Sequence, residues 1–266
     1  MFRPSRSSQR APPRGCSAAH DSTARSPEQG SLDRVSISLP PELRAPANLR
    51  DLGGLRTASG RQVRPEELLR SDAPRPGDLS PVTPRTVVDL RTAAETKGAP
   101  HPLAGVARVF EVPLGAELQP GAVAAMAEHT LSSAYRLLVA NAAAELSGIV
   151  RIVAREPGPV LVHCAAGKDR TGIVIALLLR LVDVPRATVV ADYLRTNDNL
   201  DGLWARLEAA GTHRRADVRG LGGVDPEALE EALDTMESHP GGIRGYVLDH
   251  GVDPEDLDLL QRRLLA

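Results

Sequence analysis

The sequence predicts an α/β fold with a mainly parallel central sheet flanked by helices. Short apolar, β-branched runs, such as residues 160–162 and 86–88, have the composition of strands buried on both faces. Stretches with apolar residues three or four apart, above all Ile173 to Leu181, carry the helical period. The two kinds of segment alternate along the chain, as strand–helix–strand units do, and no internal repeat is visible.

Taken in order, residues 1–33 are rich in Ser, Arg, Pro and Ala and poor in large apolar side chains. Such a segment cannot bury enough surface to offset its ordering entropy, so a disordered tail is expected, followed by one domain over residues 34–266. Residues 35–39 alternate apolar and polar, the pattern of an edge strand. Residues 48–54, NLRDLGG, read as a polar turn closed by a glycine pair. Residues 65–71 are a turn into a strand that ends at Asp72. Residues 86–91, TVVDLR, form a buried strand with polar residues at its carboxyl end, where open α/β sheets place their ligands. Asp89 and Arg91 are therefore supporting residues beside a site rather than catalytic ones. Residues 107–114 add another strand.

From about residue 120 to 155, Leu131, Tyr135, Leu138, Leu146, Ile149 and Val153 are spaced for one or two long helices. Residues 187–195 are helical, and Leu203, Trp204 and Leu207 mark a further helical piece. Asp225-Pro226 and Asp253-Pro254 each place an N-cap before a proline at the first helical position. The first opens a helix carrying Leu229, Leu233 and Met236; the second opens the last helix, with Leu257, Leu260 and Leu264 on one face.

Composition narrows the function. A net charge of −2 over 266 residues gives no footprint for nucleic acid. No apolar run reaches membrane-spanning length, and the charged-then-apolar layout of a secretory signal is missing, so a cytoplasmic protein is expected. The 2 cysteines, Cys16 and Cys164, lie far apart with one in the polar tail, which argues against a structural disulfide. Oligomeric state is left open.

The chemistry concentrates in residues 159–179, PVLVHCAAGKDRTGIVIALLL. A buried strand leads into a short loop and then a buried helix. A helix starting near Arg170 leaves its first N–H groups without intrahelical partners and carries partial positive charge there. Small residues Ala165, Ala166 and Gly167 let the backbone curl so that successive N–H groups form a cradle for phosphate. Arg170 can grip two phosphate oxygens with its planar fork. The same positive field favours a thiolate at Cys164, placed for in-line attack on a bound phosphoryl group. Thr171 can donate its hydroxyl to the sulfur. No metal cluster is visible, and attack by a thiolate requires neither metal nor cofactor. A nucleotide-binding loop is excluded, because Gly167-Lys168 lacks the upstream glycine and the following Ser or Thr.

The string His163-Cys164-x-x-Gly167-Lys168-x-Arg170-Thr171-Gly172 resembles the signature loop of the cysteine-dependent protein tyrosine phosphatase superfamily. With ADYLRTND at residues 191–198 and NLRDLGG at 48–54, it is similar to the bacterial PtpB-like tyrosine phosphatases across roughly residues 46–266. The resemblance implies a three-layer phosphatase fold and hydrolysis of phosphotyrosine through a phosphocysteine. It extends to phosphoserine, phosphothreonine or phosphoinositides. A phosphoinositide-specific enzyme, a sulfur-transfer enzyme and a phosphate-recognition module without turnover are the alternatives. The Arg170-Thr171-Gly172 ending and Asp169 speak against sulfur transfer, and the intact cysteine, arginine and acid speak against a module without turnover.

The resemblance also assigns roles. Many tyrosine phosphatases carry the general acid in a Trp-Pro-Asp loop; here the one tryptophan, Trp204, is followed by alanine. The PtpB-like pattern gives the acid role to Asp169, with Asp72 and Asp89 in reserve; otherwise Asp169 orients Arg170 or caps the helix. His163 supports the loop. Arg50 and Asp51 sit near the mouth of the site and contact substrate, or Asp51 caps its own turn. Relatives have a helical lid, which would fall at about residues 199–238, the alternative being an ordinary surface helix pair. Phosphoinositide phosphatases carry a lysine where Lys168 stands, notable in a chain with 2 lysines and 30 arginines. Some relatives are exported without a cleaved signal.

Overall fold

The computed structural model describes residues 45–115, 130–209 and 222–266. The expected tail and the edge strand at 35–39 lie outside these residues, as do parts of the expected helical stretch from 120 and of the expected lid.

A five-stranded sheet organises the chain. Its strands are β1 (Arg50–Asp51), β2 (Leu68–Ser71), β3 (Thr86–Asp89), β4 (Arg108–Glu111) and β5 (Val160–His163), in spatial order β1-β2-β5-β3-β4. All neighbours are parallel except β1 and β2. The segment expected to be an interior strand, β5, is the central one and is buried at every position. Val160, Leu161 and Val162 are apolar because both faces of a parallel strand are covered. The turn expected at 48–54 contains instead the two-residue strand β1, too short to leave an alternating pattern.

Helices are α1 (Ala93–Thr96), α2 (Leu131–Asn141), α3 (Ala143–Arg155), α4 (Asp169–Leu181) and α5 (Arg186–Leu194), then, after a 3₁₀ turn at Arg195–Asn199, α6 (Leu200–Ala209), α7 (Pro226–Glu237), α8 (Gly242–Asp249) and α9 (Pro254–Leu264). The stretch expected as one or two helices is two, α2 and α3, meeting at a 73° bend. Helix α4 is enclosed on nearly every side, from Arg170 to Leu179 without a break, as its continuous apolar sequence requires. Asp225 caps α7 by accepting the amide of Glu227 at 3.0 Å, and Asp253 and Asp256 form a capping box at α9. No single helix among the described residues is long and apolar enough to cross a membrane.

The lid expectation needs correction over its second half. Helix α7 buries Ala228, Leu229, Ala232, Leu233 and Met236 in the main core, so it is a structural wall packed on α2. Five apolar side chains on one face commit it there. The first half differs: Leu203 and Leu207 of α6 pack directly on Ala166 of the loop after β5.

Two glycines of the signature are dictated by space. Gly167 has φ +63°, and a Cβ there would lie 2.2 Å from the carbonyl oxygen of Ser71. A Cβ at Gly172 would lie 2.7 Å from the ring of Tyr193, so this glycine sets the close approach of α4 and α5.

Candidate active site

Cys164 follows β5, and α4 begins at Asp169, so the intervening loop is stretched between a buried strand and a buried helix. The loop's carbonyls are tied to elements outside it. The amide of Leu90 donates to His163 O at 2.9 Å, and that of Ala73 to Ala165 O at 3.1 Å. Asn48 Nδ2 and Arg70 Nη2 donate to Gly167 O at 2.8 and 3.0 Å. The amides of Ala165 to Arg170 find no acceptor among the described residues. Carbonyls held away and amides unpaired at a helix N-terminus make an anion cradle, with the Cys164 sulfur at its origin. A cleft of about 120 Å³ opens beside it, lined by Ala165, Arg75, Arg91, Glu95, Asp72 and Arg206.

Arg170 is fully enclosed, and its five N–H groups divide in a way the sequence did not show. Nη1 donates to Leu90 O at 3.2 Å and Glu95 Oε2 at 2.8 Å, and Nη2 donates to Glu95 Oε1 at 2.6 Å. Nε has no partner. Nε–H and the second Nη2–H share one edge of the guanidinium, and that edge remains for two phosphate oxygens. Burial works against the charge of Arg170, but Glu95 and the nearby Cys164 outweigh it and hold the guanidinium firmly protonated. Burial likewise raises Glu95, yet the hydrogen bonds from Arg170 and Thr92 dominate and keep its carboxyl below the usual range.

Asp169 stands at the first turn of α4. Its Oδ1 accepts from the Tyr135 hydroxyl at 2.6 Å, and its Oδ2 lies 3.7 Å from Lys168 Nζ. The Lys168 ammonium also reaches Gly222 O and Gly223 O at 3.3 and 3.4 Å, anchoring the segment ahead of α7. Thr171 is buried and its hydroxyl makes no hydrogen bond among the described residues, so the expected bond to the Cys164 sulfur is not formed here.

Comparison with known proteins agrees with this geometry. The profile described as the tyrosine phosphatase family matches residues 41–266. The chain belongs to the tyrosine phosphatase family. It is 37% identical over 123 residues to the triple specificity protein phosphatase PtpB of Mycobacterium tuberculosis, covering 41% of this chain and 44% of that protein. It is 34% identical over 128 residues to a tyrosine-protein phosphatase of Nostoc commune, covering 43% of this chain and 42% of that one. A Cupriavidus necator protein named among the tyrosine-protein phosphatases is 30% identical over 260 residues, 88% of this chain and 91% of its own length. The matches thus span less than half the length of the first two relatives and nearly all of the third.

Around the loop of Cys164 the remaining candidates take supporting positions. His163 is wholly buried. Its Nδ1 lies 3.1 Å from Cys164 O, and its Nε2 lies 2.9 Å from Nε2 of His101. The amide of Leu103 donates to His101 Nδ1 at 3.1 Å. These partners assign the protons: His101 donates through Nε2, and His163 donates through Nδ1 to the Cys164 carbonyl. His101 and His163 join Asp89 in a set of potential metal ligands within 4.8 Å, a juxtaposition invisible in the sequence. The hydrogen bonds already occupy both rings, and Arg91 clasps both oxygens of Asp89, at 2.9 and 2.7 Å. Those bonds hold the Asp89 carboxyl below its usual range against burial, which removes it as a reserve acid. Asp72 is the stronger reserve. Burial raises its carboxyl, although Arg206 Nε and the amide of Asn48 each donate to it at 2.8 Å.

Arg50 and Asp51 do not reach into the cleft. Arg50 pairs with Asp192 at 2.8 Å, and Arg70 meets the other oxygen of Asp192 at 2.7 Å. Asp51 accepts the amides of Gly53 and Glu66 at 2.9 and 2.8 Å, capping its own turn. The residue of this turn that touches the cradle is Asn48. Sequence reasoning also missed Glu95, although Thr92-x-x-Glu95 has the spacing of a capping box and forms one.

Burial lowers His163 to about 4. The folded value lies below the free-chain value of 6.5, so between the two the unfolded chain binds more protons. His163 therefore supports full stability above 6.5, and that contribution is lost as the pH falls toward 4. Denaturation midpoints across this range should drop for the wild type, and the drop should be smaller in His163→Gln. Equal slopes would contradict the assignment.

Proposed function

We propose that this chain hydrolyses phosphate monoesters, phosphotyrosine on proteins first among them, through a phosphocysteine on Cys164. The observation that carries the reading is the row of unpaired amides from Ala165 to Arg170 beside the open Nε edge of Arg170. In the first step the Cys164 sulfur forms a bond to phosphorus, the phosphorus–oxygen ester bond breaks, and Asp169 gives its proton to the leaving oxygen. In the second, the Asp169 carboxylate takes a proton from water, the water oxygen bonds to phosphorus, and the sulfur leaves as thiolate. Arg170 and the amides hold the equatorial oxygens through both steps, in a site that Leu203 and Leu207 shield from solvent on the Ala166 side.

Phosphoserine and phosphothreonine extend this reading, in keeping with the name of the Mycobacterium tuberculosis relative. Phosphoinositide turnover would require the Lys168 ammonium to leave the carbonyls of Gly222 and Gly223 for a ring phosphate. A panel of phosphotyrosyl and phosphoseryl peptides with phosphoinositides, assayed with chelator, separates these substrates. Turnover of phosphotyrosyl peptide should dominate and survive chelation; turnover of lipids alone would favour the phosphoinositide-specific alternative.

The acid assignment has its own test. Asp169→Asn should slow turnover of phosphoserine by ~100-fold or more and of an activated aryl phosphate much less, because only the alkoxide needs the proton. An equal loss on both would point away from Asp169, and Asp72→Asn would then be the variant to compare.

A further inference from the structure

We infer that Tyr135 is the positioning residue for Asp169, aiming one chosen carboxylate oxygen at the substrate, and that Tyr193 fixes Tyr135 in that role. The inference rests on the reading of Asp169 as the proton donor and deepens it. The Tyr135 hydroxyl lies 2.6 Å from Asp169 Oδ1 and 2.8 Å from the Tyr193 hydroxyl. An ionised carboxylate can only accept, so Tyr135 donates to Asp169. Its one hydrogen is then committed, and its oxygen accepts from Tyr193. With the carboxylate ionised, the direction therefore runs from Tyr193 to Tyr135 to Asp169.

Three elements converge to build this line: Tyr135 from α2, Tyr193 from α5 and Asp169 from the first turn of α4. Both tyrosines are almost completely buried, and neither phenol serves the packing of the core with its oxygen. Burial, and then the charge of Asp169, push both hydroxyls well above the ordinary tyrosine range, so they remain neutral donors at any working pH.

The consequence is a division of labour between the two oxygens of Asp169. Oδ1 faces a permanent donor and cannot carry the acid proton without displacing it. The proton for the leaving group therefore resides on Oδ2, and in the second step Oδ2 receives the proton from water. Oδ2 is also the oxygen 3.7 Å from Lys168 Nζ. Without Tyr135 the carboxyl could rotate and be protonated on either oxygen, and a fraction of encounters would present the wrong one.

The test is a double-mutant cycle on Tyr135→Phe and Asp169→Asn, with Tyr193→Phe as a milder third variant. Tyr135→Phe should lower kcat on phosphoseryl peptide by ~10-fold with KM unchanged, and lower it less on an activated aryl phosphate. In the Asp169→Asn background, Tyr135→Phe should cause no further loss. Tyr193→Phe should give the same pattern at roughly a third of the size. A loss from Tyr135→Phe that persists undiminished in the Asp169→Asn background would overturn the positioning role while leaving Asp169 as the acid. Full activity of Asp169→Asn on phosphoserine would instead remove the acid reading itself, and the inference with it.

Discussion

Cys164→Ser should lose turnover by ~10⁵-fold or more on every substrate, the scale seen when a nucleophile is deleted. A serine hydroxyl is a weak nucleophile unless a base lies against it, and among the described residues no side-chain base hydrogen-bonds the side chain at 164, since His163 reaches only its carbonyl. Binding should survive. The cradle is made of backbone amides and the Arg170 edge, neither of which depends on the sulfur. The phosphotyrosyl-peptide Kd of the serine variant should stay within about threefold of the wild-type value, since no hydrogen-bond donor is removed. Quenched wild-type turnover should yield a phosphoryl group mapped to Cys164. Wild-type turnover without that adduct under rapid quench, or a serine variant that retains activity, would dismiss the mechanism.

Glu95→Ala should damage fold and activity together. Its carboxylate is the partner of both Arg170 Nη atoms, and Arg170 is 1% exposed. Removing one member of a buried pair leaves an uncompensated charge, typically costing roughly 3–5 kcal/mol. For a domain of this size that corresponds to a Tm loss on the order of 10 °C. The capping box at Thr92 is lost as well. Activity should fall by ~100-fold, because the free guanidinium edge is no longer aimed at the phosphate. Glu95→Gln separates the two effects: it keeps the cap and one acceptor, so stability should recover more than kcat. Because Glu95 is held below its ordinary range, its contribution is present above the unfolded-chain value and fades as acid titrates it in the fold. A variant within twofold of wild type in both activity and Tm would show that Arg170 is oriented by other groups.

The strand, loop and helix that carry Cys164, Asp169 and Arg170 were legible because their signals are local. Apolar runs, small residues and the helix start all fall within residues 159–179. What holds those residues in place was not legible. Glu95 meets Arg170 across 75 positions of sequence, and Tyr135 meets Asp169 across 34. Pairings of that range leave no periodicity; they depend on strand order, which the sequence leaves open. Arg50 and Asp51 were drawn toward the substrate by proximity to the right turn, but Asp192 and the turn's own amides claim them. Helix α8 escaped notice because glycines, at positions 241 and 242 with positive φ, stand where a capping side chain would announce a start. Helix α7 fell within the lid implied by the resemblance, because its packing partner, α2, could not be read from the sequence.

The loop of Cys164 is flanked on both sides by main-chain bonds, Leu90 N to His163 O and Ala73 N to Ala165 O. Those bonds are indifferent to which side chains occupy the neighbouring loops. Mutational drift at Pro74 and Arg75, which line the cleft, can therefore reshape what enters it without unseating Cys164. Substrate preference and reaction chemistry are separately evolvable in this architecture.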